Sequence, residues 1–579
     1  MSESKICQNC KAAFTIEPAD FRFYERMQVP PPTWCPECRL QRRWAWRNER
    51  GLYKRSCDMC KKEIIAMYPA DVPFPVYCRD CWYSDQWDPL AYGRDYDLQK
   101  PFFVQFKELQ EAVPRIALQV SESVNCDYAN QIANCKNCYL VWSGSENEDS
   151  MFSYRLHKSR RIADSFMILR SENTYQAMDC TDSADVLFSH NCVGGVDLAF
   201  CYDIRNSQNC AMSANLRRAS HVFRNRQMDK NEYDSERNAM DTGSYRKLRE
   251  YEREFAEVKR KAIHKFADIT QSVNSTGHSI SSSKNARNCF NTDKIEDCAY
   301  CILLNDTKDA MDVNNGCCVA ERVYETSTMG VKASDIKFCV DAWPEVTNAT
   351  YSDSCRNGAR DVFGCISVRK RQYCILNKQY TRDGYEALVP KIIEHMNKMP
   401  YTDRQGRVYK YGEFFPPELS PFPYGDTTAQ DYFPLSDEEV QARGFRWLPA
   451  VRSEHKPDIG AEDLPDHIKD VSDSILEKVV GCAHQGKCSH RCVGAFKIVP
   501  EELALYRRMN LPLPRECPNC RHYGRIEKRN PLRLWERQCM CAMEKHGHAG
   551  PCANKFQTSY APDRPETVYC EACYNAEVV

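Results

Sequence analysis

The sequence predicts a mainly β protein: a central parallel β-helix-like solenoid, a small cysteine-knuckle module at each end, and a few inserted helices. Three observations predict it. Near the start, Cys7, Cys10, Cys35, Cys38, Cys57, Cys60, Cys78 and Cys81 form four CxxC pairs. Near the end, Cys492, Cys517, Cys520 and Cys539 repeat four of those positions at a constant offset of 482, and after a ten-residue insertion Cys552, Cys570 and Cys573 match Cys60, Cys78 and Cys81. Between the two, short apolar triplets after Asn, Asp or Ser return about every dozen residues. Self-similarity of that kind marks a stacked repeat.

Size and charge limit what the chain can do. Its 579 residues exceed one hydrophobic core. With 79 basic and 80 acidic residues, no whole-molecule field draws in nucleic acid or membrane. The start, MSESKICQNC, has no basic-then-apolar leader and no stretch approaches 18 apolar residues, so the expectation is a cytoplasmic protein without membrane contact. In a reducing compartment the 34 cysteines read as metal ligands before disulfides.

In the first module (1–87) the cysteines divide into two tetrads in chain order. Each CxxC is a tight knuckle aiming two thiolates at one ion, and two knuckles close a tetrahedral four-sulfur shell suited to Zn²⁺. A closed shell leaves no position for water, so the expected cofactor is four structural zinc ions and the expected catalytic residues are none; iron of the rubredoxin type is the alternative metal. In the second module (475–579) the position of Cys7 is Ser489, so Cys482 or Cys488 must replace it, with His490 as a weaker candidate. The third knuckle is opened by MCAMEKHGHAGP, which leaves Cys541, His546 and His548 as spare ligands for a longer hairpin or an extra metal site.

FRFYERMQVPPPTWCPECR and LALYRRMNLPLPRECPNCR resemble the zinc-ribbon domains of many bacterial proteins, over about 35 residues each; the resemblance implies zinc and a ribbon or treble-clef-like fold. Through RNERGLYKRSCD, WDPLAYGRDYDLQKPFF, CILNKQYTRDGYEALVPKIIEHM and SYAPDRPETVYCEACY, nearly the full chain resembles the cysteine-rich multi-ribbon proteins of small-genome candidate-phylum bacteria. No activity follows from that resemblance.

Between the knuckles of each module lies a basic, aromatic stretch. Arg39, Arg42, Arg43, Arg47 and Arg50 interleave with Trp44 and Trp46; Arg521, Arg525, Arg529, Arg533 and Arg537 are the second set. Arginines neutralise phosphates and aromatic faces stack on bases, so these residues are the expected contacts to RNA or single-stranded nucleic acid. The competing reading is that Arg stems cover ribbon surface and pair with acids.

After a docking segment and short helix (88–120), the repeat occupies 121–233 and 271–380, each coil expected to use two units of about 12 residues. Asn and Asp tolerate the left-handed backbone of tight corners. Cysteines inside the triplets are expected to be small buried residues in ladders, and extra metal at Cys135-x-x-Cys138 or Cys298-x-x-Cys301 is permitted by spacing. VFRNRQMDKNEYD echoes CILNKQYTRDGYE, with Asn225 and Tyr233 matching Asn377 and Tyr385, which predicts a duplication. Helices are expected in 234–270 and 381–400, and an aromatic, Pro-rich strap over 401–474. No GxSxG, HExxH, P-loop or dinucleotide motif occurs, and no small-molecule substrate is evident. The functional expectation is a zinc-binding, non-catalytic protein contacting nucleic acid. The alternatives are a protein-binding scaffold along the solenoid and, more remotely, a β-helix enzyme acting on polysaccharide.

Overall fold

The structure, a computed structural model, describes residues 2–317, 322, 324–327, 335–341 and 345–579. Parts of the predicted repeat 271–380 therefore lie outside the described residues. Strands dominate. The chain divides into two compact units, and neither is a continuous segment: Met1–Leu118 with Ala267–Leu448, and Gln119–Phe266 with Pro449–Val579. The eight sequential segments expected from the sequence are thus regrouped, the first cysteine module with the second repeat and the last module with the first repeat. The strap is divided at 448, its two parts belonging to different units.

The first repeat is a parallel ladder in which pairing strands lie twelve residues apart, as in Phe166↔Met178↔His190↔Tyr202↔Ala214. A left-handed residue occurs every third position, from Glu122 through Asn125, Tyr128 and Gln131 onward to Arg224. Two residues of strand and one of corner therefore make the unit, and a pairing offset of twelve spans four such units. This corrects the expected coil of two twelve-residue units: twelve residues return the chain to register.

Period three also sorts the side chains. Ile132, Cys135, Cys138, Val141, Leu156, Ile162, Ile168, Cys180, Val186, Cys192, Leu198, Cys201, Ile204, Cys210 and Val222 form one buried cluster, each a multiple of three from the next. Serines fill much of the rest of the interior, and each is satisfied twice. Ser159 and Ser171 hydroxyls donate to the carbonyls of His157 and Leu169, and accept from the N–H groups of Ser171 and Ser183. A buried polar group is tolerable on those terms. Ser171→Ala leaves the Ser183 N–H without its acceptor, and the expected cost is about 1–3 kcal/mol. Hydrogen exchange reads it directly, since the Ser183 amide must lose protection.

The interior cysteines behave as sulfur versions of these serines. Cys135, Cys138, Cys298 and Cys301 donate to the carbonyls of Ala133, Lys136, Glu296 and Ala299. Their CxxC spacing is the ladder's own period, which explains it without metal.

The second repeat follows the same rule with slips. Pairs lie eleven apart at Ile269↔Ile280, twelve at Phe290↔Ile302, thirteen at Thr347↔Arg360, and twelve again at Val362↔Cys374. Both ladders finish alike. Asn225 Oδ1 accepts from Ala214 N and Asn377 Oδ1 from Ile366 N, both at 2.8 Å. An antiparallel turn-back follows each (Phe223↔Arg226, Ile375↔Lys378). A capped helix comes next: Asp229 caps Lys230–Ala239 and Thr381 caps Arg382–Lys398. The echoed sequence motif is therefore a ladder terminator. In the helical insertion expected over 234–270 the main helix is Tyr245–Lys261, preceded by the separate Lys230–Ala239. Its Leu248, Tyr251, Phe255 and Val258 pack into one cluster with Phe188 and Phe200 of the ladder.

In the first unit the aromatic beat of the second repeat faces outward and is covered. Phe338, Tyr351 and Phe363 meet Phe102 and Phe103 of the docking segment and Phe415 of the strap. Burying each Phe contributes about 1.5–3 kcal/mol, enough for an irregular strap to hold its place.

Candidate metal centres

All four terminal sites share one construction. A short antiparallel hairpin carries the first knuckle: Glu3–Ile6 with Ala13–Ile16, Tyr53–Ser56 with Glu63–Ala66, Val480–Gly481 with Ala495–Phe496, and Trp535–Gln538 with Lys555–Thr558. The second knuckle opens a helix, its first cysteine being the residue before Pro36–Trp44, Arg79–Tyr83, Pro518–Ile526 and Glu571–Val578. Pro36 and Pro518 suit the first helical position, where no N–H is needed.

That construction brings the sulfurs together. Four groups, Cys7/Cys10/Cys35/Cys38, Cys57/Cys60/Cys78/Cys81, Cys482/Cys492/Cys517/Cys520 and Cys539/Cys552/Cys570/Cys573, each place four ligand atoms within 4.8 Å of one another. Each could hold a metal ion. In every site the same backbone amide is aimed at the same sulfur: Cys35 N to Cys7 Sγ, Cys78 N to Cys57 Sγ and Cys570 N to Cys539 Sγ at 3.2 Å, Cys517 N to Cys482 Sγ at 3.3 Å. The last of these identifies the replacement for Cys7. It is Cys482, which stands after the strand as Cys7 does, while Cys488 is left outside the four-sulfur group. Cys541 is likewise outside its group, with His546 Nδ1 at 3.1 Å from its sulfur, and His548 Nε2 lies 3.4 Å from Cys573 Sγ.

The amides prepare the thiols unevenly. Burial opposes ionisation of Cys57, yet the N–H groups of Cys78, Cys60 and Met59 draw its thiol down to about 7; Cys570 is drawn to about 7 as well, against burial, by Asn554 and the amide of Cys573. Cys38 is pushed up by its hydrogen bonds to the Cys35 and Cys7 sulfurs, and Cys81 by burial and then by the sulfurs around it. Four thiols at such distances ionise together only around a cation.

The basic stretches are placed elsewhere than the sequence suggested. Arg39, Arg42, Arg43 and Arg47 are buried, as are Trp44 and Trp46. Within the first unit, Arg39 Nη2 lies 2.8 Å from Asp312 Oδ2 and Arg43 Nη1 3.2 Å from Asp312 Oδ1. Arg42 bridges Glu325 at 2.8 Å and Glu413 at 2.9 Å while stacking on Trp34. Arg47 pairs with Glu49, and Arg50 stands 3.5 Å from Asp431. Burial works against the charges of Arg39 and Arg42, but the facing carboxylates raise both above the ordinary range; at Arg43 burial wins.

The second unit repeats the pattern. Arg521 and Arg525, equivalent to Arg39 and Arg43 at the offset of 482, share the two oxygens of Asp164 at 2.5 and 2.8 Å. Glu502 takes the other side of Arg521 at 3.2 Å, and Arg529 reaches Asp179 at 3.2 Å. Asp312 and Asp164 are both left-handed corner residues of their ladders. Of the four helices that begin at a second knuckle, Pro36–Trp44 and Pro518–Ile526 are thus keyed to a ladder by the same arginine pair on the same kind of aspartate. The motif tyrosines follow: Tyr24 meets Tyr324, and Tyr506 meets Tyr175. A guanidinium enclosed in this way does not reach a phosphate, which corrects the nucleic-acid role expected for Arg39, Arg42, Arg43, Trp44, Trp46, Arg47, Arg521 and Arg525. Of the remaining expected contacts, Arg529 is mostly buried on Asp179, Arg537 is half-buried with Nη1 3.2 Å from the Ala561 carbonyl, and Arg533 is exposed.

Comparison with protein-family models, with curated proteins and with solved structures returns no match to this chain.

Proposed function

We propose that the protein is a non-catalytic binding scaffold in which each ladder is a β-solenoid of twelve-residue coils, zinc ions hold the ribbon modules, and the partner is a protein. The observation that carries this is the burial of Arg39, Arg42, Arg43, Arg47, Arg521 and Arg525 inside the units, which removes the main argument for nucleic acid. Closed four-thiolate shells support structural zinc, and the free thiols among the described residues fit a reducing cytoplasm. Among the described residues no helix is long and apolar enough to cross a membrane.

The uncovered ladder faces support a protein partner. Their charges stack in opposite signs along the ladder: Lys136 with Glu148, Arg160 with Glu172, Arg170 with Asp182, and Lys284 and Lys308 with Glu296. Such pairs are worth little in stability and build no field of one sign for phosphates. A row of side chains adds hydrogen-bonding groups in register, the Asn125 amide donating to Asn137 and the Asn137 amide to the Asp149 carboxylate. The test is capture of partners on the tagged full chain, with and without nuclease, with metal analysis of the same sample. Protein partners kept after nuclease, and weakened by Arg160→Glu with Arg170→Glu, are expected. Loss of every partner on nuclease treatment would return the case to nucleic acid.

A further inference from the structure

The loop between Cys482 and Cys492 does more than lengthen a knuckle. It carries His484, Cys488 and His490, none of which belongs to the four-sulfur group, yet one nitrogen of each histidine, Cys488 Sγ and Cys520 Sγ all lie within 4.8 Å of one another. Cys488 Sγ is 3.7 Å from Cys520 Sγ. The Nδ1 atoms of both His484 and His490 are buried without a hydrogen-bond partner. Two buried orphan nitrogens, on rings that each bring one nitrogen to the sulfurs, are costly unless something satisfies them.

His490 is also held as a ligand is held. Its Nε2 lies 2.8 Å from Glu527 Oε1, and its ring stacks on Tyr523 with an interplanar angle of 18°. A carboxylate on one imidazole nitrogen fixes the tautomer that leaves the other nitrogen free, and raises its basicity toward a metal. The N-terminal ribbon has no counterpart: at the offset of 482, His490 corresponds to Gln8 and Glu527 to Ala45.

We infer that the C-terminal ribbon holds two metal ions bridged by the Cys520 thiolate, one on Cys482, Cys492, Cys517 and Cys520, the second on His484, Cys488, His490 and the same Cys520. Two nitrogens and two sulfurs in a tetrahedral shell suit zinc. Charge favours the pair as well, since a second dication offsets the negative charge that four thiolates leave around one. This inference rests on the reading that the knuckles hold metal.

The test uses the full chain and counts ions per chain by elemental analysis and native mass spectrometry. His484→Gln with His490→Gln, and separately Cys488→Ser, should each remove one ion relative to the unaltered chain. Glu527→Gln should keep the fold and weaken that ion by about 10–100-fold in chelator competition, leaving the others unmoved. Equal metal content in the unaltered chain and all variants overturns the second ion while leaving the four-sulfur sites intact. An unaltered chain without metal overturns both this inference and the reading beneath it, so the two failures are distinct.

Discussion

Asp312→Ala is expected to destabilise the first unit by about 3–5 kcal/mol, and Asp164→Ala the second by a similar amount, because each leaves two buried guanidiniums without their shared carboxylate. Arg39 and Arg43 have almost no exposed surface, so water cannot take over. The two units need not unfold together, so a single midpoint is the wrong observable; amide exchange resolved along the chain reads each unit by itself. Replacing the triad Arg39, Arg43 and Asp312 together by apolar residues of similar volume should recover much of the loss, since an apolar core is often neutral against a buried ion pair. A loss below about 1 kcal/mol, the range of an exposed pair, would mean that these arginines reach solvent, and phosphate contact would again be open.

The second large effect is metal removal. A strong chelator should unfold the cysteine modules, because binding free energy at such sites is folding free energy, about 10–16 kcal/mol per structural zinc in small fingers. The damage should spread. Cys35 and Cys517 start the helices that carry the arginine pairs, so loss of the ion frees the helix and strips Asp312 or Asp164 of its partners. Trp34, Trp44 and Trp46 are buried in the first unit, and their fluorescence should shift to the red as metal leaves. A chain emptied of metal whose tryptophan emission is unchanged would sink the structural role of the ions.

How far the sequence could be read depended on how local each signal was. The cysteine groups were legible because spacing and ligand chemistry are local, and the left-handed corners because Asn and Asp favour them. The period of three was hidden. Interior positions accept Ser, Gly, Asn and Cys as readily as Ile or Leu, so apolar residues marked only part of the beat, and the aromatics that marked the rest lie on the covered outside. Arginine burial could not be read either, since Arg39 meets Asp312 and Arg521 meets Asp164 across hundreds of residues. The choice of Cys482 was obscured by alignment at constant offset, which points to Ser489 and misses that an insertion had moved the ligand back to the end of its strand.

The discontinuous units impose an order on synthesis. The helix bearing Arg39 and Arg43 is made first, and the first buried left-handed ladder aspartate to follow it is Asp164, not Asp312. Asp164 in turn waits for Arg521 and Arg525, a delay of roughly 20–70 s at ordinary ribosome speeds. During that interval the early arginines and the early aspartate are complementary to each other and belong to different units. The nascent chain must therefore pass a near-equivalent wrong partner before the right one exists. What separates right from wrong is the acid set around each aspartate: Glu325 and Glu413 receive Arg42 in one unit, whereas Glu502 flanks Arg521 in the other.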